Sequence, residues 1–228
     1  MTIPTIAQLA EIKVLAPLAQ ENLQEIASSF SVSAFKKGQT LVTHNERSNS
    51  VYFLHAGKVR ATMFSPSGRQ VSYQDLDSGD MFGEIAAIDK LPRSTHVIAL
   101  TDGRVLHISG DNFLSLLAKY PAVSSTVMLK MVSLVRFLCE RLYEFGAFSV
   151  SARVRAELLR LAEQQGVYSE KEIQIKNMPT HEELANRLAT HREAVTRELS
   201  QLEKIGLIKK QKNELIVLNA KDLAASIE

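Results

Sequence analysis

Between Ser31 and Ile108 the chain is broken at short intervals by turn signals. They are Lys37-Gly38, Ala56-Gly57-Lys58, Pro66-Ser67-Gly68, Ser78-Gly79-Asp80 and Thr101-Asp102-Gly103. Glycine reaches left-handed backbone conformations without steric cost, so such runs reverse a chain. Thr40–Val42, Val51–Leu54, Val59–Met63, Val71–Leu76, Val97–Ala99 and Arg104–Ile108 lie between them and are strand-like. Regular short strands with glycine turns point to an antiparallel sandwich or jelly roll.

Phe82–Val97, FGEIAAIDKLPRSTHV, is the helical interruption in this β region. One helical turn over Ile85–Ile88 would leave backbone N–H groups, those of Ile85 and Ala86 among them, free for an anion. Gly83 would let that anion approach the backbone. Arg93 can pair with a phosphate, and Ser94 and Thr95 can add hydroxyl donors. Glu84 is an acceptor and suits a ribose hydroxyl. The combination reads as a pocket for a small sugar phosphate in the mouth of the roll.

Before the roll, Ile6, Leu9 and Ile12, then Leu23, Ile26 and Ala27, fall at helical spacing, with Pro17 separating two short helices. After it, Asp111 is a candidate N-cap for a helix over Phe113–Lys119, and Pro121 lies in the first turn of a long one. Val127, Met131, Leu134, Leu138 and Phe145 repeat at heptad positions on that helix, with Arg141 interrupting. An apolar stripe without a partner in its own chain predicts a two-fold coiled coil between subunits. Gly146 is the sole glycine between Gly110 and Gly166. Gly146, Phe148 and Val150 therefore mark a hinge and a domain boundary. A further helix begins near Ser149 or Ser151 and runs to Gln165, with Gly166 as its C-cap.

Thr180–Glu183 and Thr190–Glu193 both read Thr-x-x-Glu, the pattern of a capping box. They open helices over Glu182–Leu188 and Arg192–Ile205, joined by a short turn as in a helix-turn-helix. Leu207–Lys209 and Leu215–Leu218 then form a hairpin with its tip at Lys210–Glu214, the wing of a winged helix. Arg192, Glu193 and Arg197 lie near the start of the second helix, the part that enters a major groove. Arginine bonds guanine bidentately, and glutamate accepts from cytosine. Lys209, Lys210 and Lys212 are placed to meet flanking phosphates.

Length allows two modest domains. The net charge of +2 does not by itself indicate nucleic acid, and the basic excess is local to Lys176–Lys212. Cys139 is the sole cysteine, which excludes an intrachain disulfide and a cluster held by several cysteines of one chain. No leader-like start or membrane-length stretch is evident, so the expected location is cytoplasmic, with no membrane partner.

Phe82-Gly83-Glu84, Ala86-Ala87 and Pro92-Arg93-Ser94-Thr95 resemble the phosphate-binding cassette of cyclic-nucleotide-binding domains. His191-Arg192-Glu193-Ala194-Val195-Thr196-Arg197-Glu198-Leu199 is similar to the recognition helix of the catabolite activator protein/FNR family, Ser-Arg-Glu-Thr-Val-x-Arg-x-Leu. Over roughly residues 10–220 the chain resembles that family of bacterial transcription regulators. The resemblance implies an α+β chain. Residues 1–110 form a jelly-roll cyclic-nucleotide-binding domain with N-terminal helices. A short helix and a long dimerisation helix follow over 111–147, and a winged helix-turn-helix domain over 148–228. It implies a homodimer that binds a palindromic operator with TGTGA-like half-sites, contacts RNA polymerase, and is no enzyme. Thr180, Thr190 and His191 join the DNA-contacting set, with Thr190 capping the recognition helix. His191 and Ala194 depart from the family's Ser and Thr at positions that commonly touch phosphate. Cyclic AMP is the favoured effector, with cyclic GMP as the alternative. Where the family contacts adenine with Thr-Ser, this chain has Leu138 and Cys139, which leaves the base unspecified.

Two rivals follow from other residues. His44, His55, His96 and His107 raise a metal-dependent jelly-roll enzyme, but they are scattered and lack His-x-His spacing, so no metal is expected. A haem-sensing regulator of the same fold could use His96 or Cys139 as ligand. The intact Arg93-Ser94 pair argues against it.

Overall fold

A computed structural model describes residues 2–66, 68, 70–169 and 172–227. Ser67 of the expected Pro66-Ser67-Gly68 turn lies outside the described residues. The chain divides into two compact units, residues 1–134 and 135–228, so the division falls within the long helix.

The first unit begins with α1 (Ile6–Ala10) and α2 (Gln20–Ile26). Eight strands follow: β1 (Ser31–Phe35), β2 (Thr40–Val42), β3 (Val51–Ala56), β4 (Val59–Phe64), β5 (Gln70–Leu76), β6 (Met81–Phe82), β7 (His96–Ala99) and β8 (Gly103–Ile108). The helix α3 (Glu84–Asp89) interrupts them between β6 and β7. The strands form two antiparallel four-stranded sheets, ordered β1-β8-β3-β6 and β2-β7-β4-β5. Successive side chains of a strand point to opposite faces, and the first sheet uses both. Val51 and Phe53 of β3, Met81 of β6, and Leu106 and Ile108 of β8 pack against the helices in one core. Leu54, Phe82 and Val105 on the same strands turn the other way, into the core they share with Val42, Val59, Leu76, Val97 and Ala99.

α4 (Gly110–Lys119) follows the roll. Its N-cap is Ser109, whose hydroxyl accepts from the Asn112 N–H, and not Asp111 as the sequence suggests. The helix starts earlier because Ser109 leaves β8 in an extended conformation suited to a cap. α5 (Pro121–Ala147) is the long helix. It is long and apolar enough to cross a membrane by length and composition only, whereas no stretch of that length is expected from the sequence. Lys130, Arg136, Glu140, Arg141 and Glu144 interrupt it. The expected heptad stripe is exposed in part. Val127 is buried in the chain's own first core, and Arg141 is buried as well. Leu138 and Phe145 of that stripe are exposed, and a second exposed row lies one position later, at Met128, Val132, Val135, Cys139 and Leu142. These five keep alternating spacings of four and three.

The second unit contains the end of α5, α6 (Val150–Gln165), β9 (Gly166–Tyr168), β10 (Ile173–Lys176), α7 (His181–Arg187), α8 (Arg192–Lys204), β11 (Ile208–Gln211), β12 (Glu214–Val217) and α9 (Ala220–Ala225). Ser149 caps α6 through the Ala152 N–H. Gly166 ends α6 in an extended conformation and not a left-handed one. A Cβ there would meet the Ala162 carbonyl oxygen at 2.2 Å, so the close approach selects glycine. The sheet order is β11-β12-β10-β9, all antiparallel. Leu158, Ile175, Leu184, Ala185, Leu188, Val195, Leu199, Leu202 and Val217 share its core.

Beneath that core lies a buried ionic cluster. The Arg141 Nη1 on α5 donates to Glu144 Oε2 at 2.9 Å and to Glu157 Oε2 on α6 at 3.3 Å. Arg160 Nη1 and Nη2 donate to Glu157 and Glu144. Arg187 Nη1 on α7 donates to Glu157 Oε1 at 3.2 Å. Arg141 Nη2 also donates to the Arg187 carbonyl. Glu157 is thus shared by three guanidinium groups and ties the last turns of α5 to α6 and α7.

Candidate effector and nucleic-acid sites

β6 delivers the chain to Gly83, whose φ of 85° is left-handed. A Cβ at Gly83 would meet Arg93 Nη1 at 2.7 Å and the Ser50 carbonyl oxygen at 2.9 Å, so only glycine fits. Glu84, Ile85 and Ala86 then form the first turn of α3, and Glu84 is buried. Beyond α3, a loop carries Arg93, Ser94 and Thr95 back to β7.

Arg93 is 2% exposed. Its Nε donates to Ser48 Oγ at 2.9 Å, Nη1 to the Gly83 carbonyl at 2.8 Å, and Nη2 to the Ser50 carbonyl at 2.8 Å. Its backbone is held on both sides, by Glu46 O and the Asn45 N–H. The guanidinium lies 5.9 Å from the centre of the Tyr52 ring, which stacks on Phe82. Burial pulls the Arg93 guanidinium below its ordinary range, and Tyr52, Glu46 and Glu84 oppose that pull. A guanidinium has five N–H groups, and these contacts engage three. Ser94 is exposed, and Thr95 is half-buried.

Lys130 enters from α5. Its Nζ donates to the Met81 carbonyl and lies 4.0 Å from Glu84 Oε1. Burial lowers the ammonium below its ordinary value, while Glu84 and Asp80 raise it. Ser48, Ser50, Tyr52 and Lys130 were not legible in the sequence. Two of the Arg93 bonds go to backbone carbonyls, which any residue supplies. Leu138 and Cys139 are exposed on α5 and belong to the second unit. Gly146 is the next-to-last residue of α5 and has open space where a Cβ would stand, Phe148 packs edge-on against Tyr143 at 5.5 Å, and Val150 begins α6.

The histidines of the roll are dispersed. His44 and His96 pack ring to ring, His55 meets Glu11, and His107 meets Ser33. Among the described residues, no group of three His, Cys, Asp or Glu could hold a metal ion.

In the second unit, the Thr180–Glu183 capping box forms, with reciprocal bonds of 3.2 and 2.8 Å. The Thr190–Glu193 box does not. Ala189 adopts a left-handed φ of 49°, and the Thr190 N–H is spent on the Ala185 carbonyl. The turn therefore closes one residue late. His191 is the N-cap of α8, with no side-chain bond, and Thr190 is buried. Arg192, Glu193 and Arg197 are exposed and line one shallow open hollow with Thr196 and Ser200. The opposite face buries Val195, Leu199 and Leu202. Lys209 and Lys212 are exposed on the wing. The expected tip, 210–214, is narrower, because Lys210 and Gln211 extend β11 and Glu214 starts β12. Lys210 Nζ lies 3.1 Å from Glu203 Oε2.

Two family profiles match. The cyclic nucleotide-binding domain matches residues 32–120, and the Crp-like helix-turn-helix domain matches residues 152–226. The CRP-like cAMP-activated global transcriptional regulator of Mycobacterium tuberculosis is 25% identical over 190 residues, 83% of this chain and 85% of that protein. The cAMP-activated global transcriptional regulator CRP of Escherichia coli O157:H7 is 25% identical over 203 residues, 88% and 96% of the two chains. Among solved structures, a CooA variant from Carboxydothermus hydrogenoformans has a TM-score of 0.83 at 20% identity, covering 96% of this chain and 95% of that one. CprK in complex with OCPA has a TM-score of 0.73 at 17% identity, covering 89% and 93%. These structural likenesses establish the fold alone. With both domains matched in order, the chain belongs to the catabolite activator protein/FNR family of DNA-binding transcription regulators.

Proposed function

We propose that this protein is a cytoplasmic homodimeric regulator whose operator binding is gated by a 3′,5′-cyclic nucleotide, with cyclic AMP preferred to cyclic GMP. The observation that carries the effector reading is the Arg93 guanidinium, fixed below the Gly83–Ala86 turn with two N–H groups in reserve. Those two groups, Ser94, Thr95 and the N–H groups of Ile85 and Ala86 would hold the cyclic phosphate. Glu84 would take the ribose hydroxyl. Relatives described as cAMP-activated regulators support the same chemistry.

Leu138 and Cys139 would approach the base, and the missing hydroxyls there leave base selectivity weak. Gly146, Phe148 and Val150 would absorb the change that presents two α8 helices about 34 Å apart. The nucleotide acts only through the difference in its affinity for the competent and resting states. On DNA, Arg192, Glu193 and Arg197 read base edges of a TGTGA-like half-site. Thr180, Thr190, His191, Lys209, Lys210 and Lys212 serve the backbone, Thr190 by closing the turn behind α8. Promoter action would involve RNA polymerase.

Isothermal titration calorimetry with cyclic AMP and cyclic GMP tests the effector. Saturable heat is expected, stronger with cyclic AMP. Ser94→Ala, which leaves the buried Arg93 bonds intact, should weaken binding at least about tenfold by removing a hydrogen bond to a charged group. No heat with either nucleotide sinks the proposal.

The seam of Met128, Val132, Val135, Cys139 and Leu142 supports dimerisation through α5. Val135→Asp places two carboxylates across that seam. It should convert the dimer to monomer in sedimentation velocity at micromolar protein. A variant that sediments as the wild type would move the interface elsewhere.

A further inference from the structure

His181 opens α7 beside α8, and its Nδ1 lies 2.7 Å from the Thr196 hydroxyl. That hydroxyl has one hydrogen and donates it to the Arg192 carbonyl at 2.9 Å, the back-bond of a helical threonine. With that hydrogen directed at the Arg192 carbonyl, the oxygen accepts from His181 and the ring hydrogen sits on Nδ1. In the neutral ring Nε2 then has a lone pair and nothing to donate.

The charged groups that face the ring from neighbouring elements are Arg192 on α8 and Lys210 on β11. Burial first, and then these two cations, hold the imidazole below its ordinary range. On α7 itself, Glu182 is exposed, and Glu183 Oε2 is occupied by the Thr180 N–H and hydroxyl. Lys210 is paired with Glu203. In the free protein the ring is neutral at neutral pH.

We propose that His181 is a DNA-phosphate contact that takes up one proton per subunit when duplex DNA binds. The proposal rests on the reading that the exposed face of α8 meets DNA. A phosphate beside Arg192, Thr196 and Lys210 offers Nε2 an acceptor. While Thr196 keeps its bond to the Arg192 carbonyl, the ring meets that phosphate by gaining a hydrogen from solvent. The resulting N–H···O⁻ bond is charge-assisted. The same phosphates offset the two cations that oppose protonation in the free protein. A ring with its hydrogen on Nε2 would bind phosphate without proton uptake, so the Thr196 bond makes binding pH-dependent.

The test is fluorescence anisotropy with the full chain and a labelled duplex carrying the TGTGA palindrome. Ionic strength is fixed, effector is saturating, and the range is about pH 6 to 8, where histidines titrate. Affinity should rise as pH falls, by up to about tenfold per pH unit for each proton taken up. His181→Gln should flatten that slope. His181→Arg should bind tightly without one. His191→Gln, on the other side of the turn, should keep the wild-type slope. A slope that survives in His181→Gln, or that disappears only in His191→Gln, overturns the assignment. So does a flat wild-type profile with normal binding. Absence of binding to any duplex at every pH removes the DNA reading and this proposal together.

Discussion

Replacing Glu157 with leucine is expected to lower the unfolding free energy of the C-terminal unit by about 3–5 kcal/mol, the cost of breaking a buried ionic group on one side. Glu157 is 4% exposed and receives Arg141, Arg160 and Arg187. Without it, Arg141 and Arg160 are left to share Glu144. Arg141 is already pulled below its ordinary range by burial, with Glu157 the largest opposing influence. Chemical denaturation followed by circular dichroism measures the effect. A loss below about 1 kcal/mol would mean that water reaches these arginines and that the cluster behaves as a surface one. On the proposed effector-gated reading, the replacement should also blunt the response of DNA binding to effector, because α5 would no longer be held to α6 and α7 through the shared carboxylate.

The second large effect is expected at Arg192. Arg192→Ala should weaken operator binding by about 1–3 kcal/mol for each half-site, and should relax discrimination at one base pair. Lys212→Ala is the useful contrast. It should weaken binding to operator and scrambled duplex alike, and lower the salt slope by about one. Mobility shifts on both duplexes across a salt series separate the two behaviours. Unchanged operator affinity in Arg192→Ala would remove α8 from the base-reading role.

The difference between these two residues and the ionic cluster also shows what could be read in advance. The strands of the roll were legible because glycine turns bracket β-branched runs. β1 was missed because Ser31, Ser33 and Ala34 dilute its apolar pattern, and β6 because it has two residues. β9 and β10 exist through pairing with each other and with β12, a non-local cause that leaves little local trace. Local caps were read correctly at Thr180 and displaced at Asp111 and Thr190, where the incoming backbone decided the start. Arg93 was legible as a cation in a motif. Its partners were not, because Gly83 and Ser50 contribute carbonyls. Arg141, Glu144 and Glu157 look like a solvated helix surface in sequence, and only packing distinguishes a buried arginine from an exposed one.

The apolar seam of α5 has a consequence for abundance. A surface covered only by a second copy of the same chain links stability to protein concentration through mass action. On the dimer reading, dilution uncovers Met128, Val132, Val135 and Leu142 and separates the two recognition helices in a single event. Cells holding few copies would therefore have less of the DNA-competent form than the copy number alone suggests. A change in expression would be amplified at the operator even at constant effector.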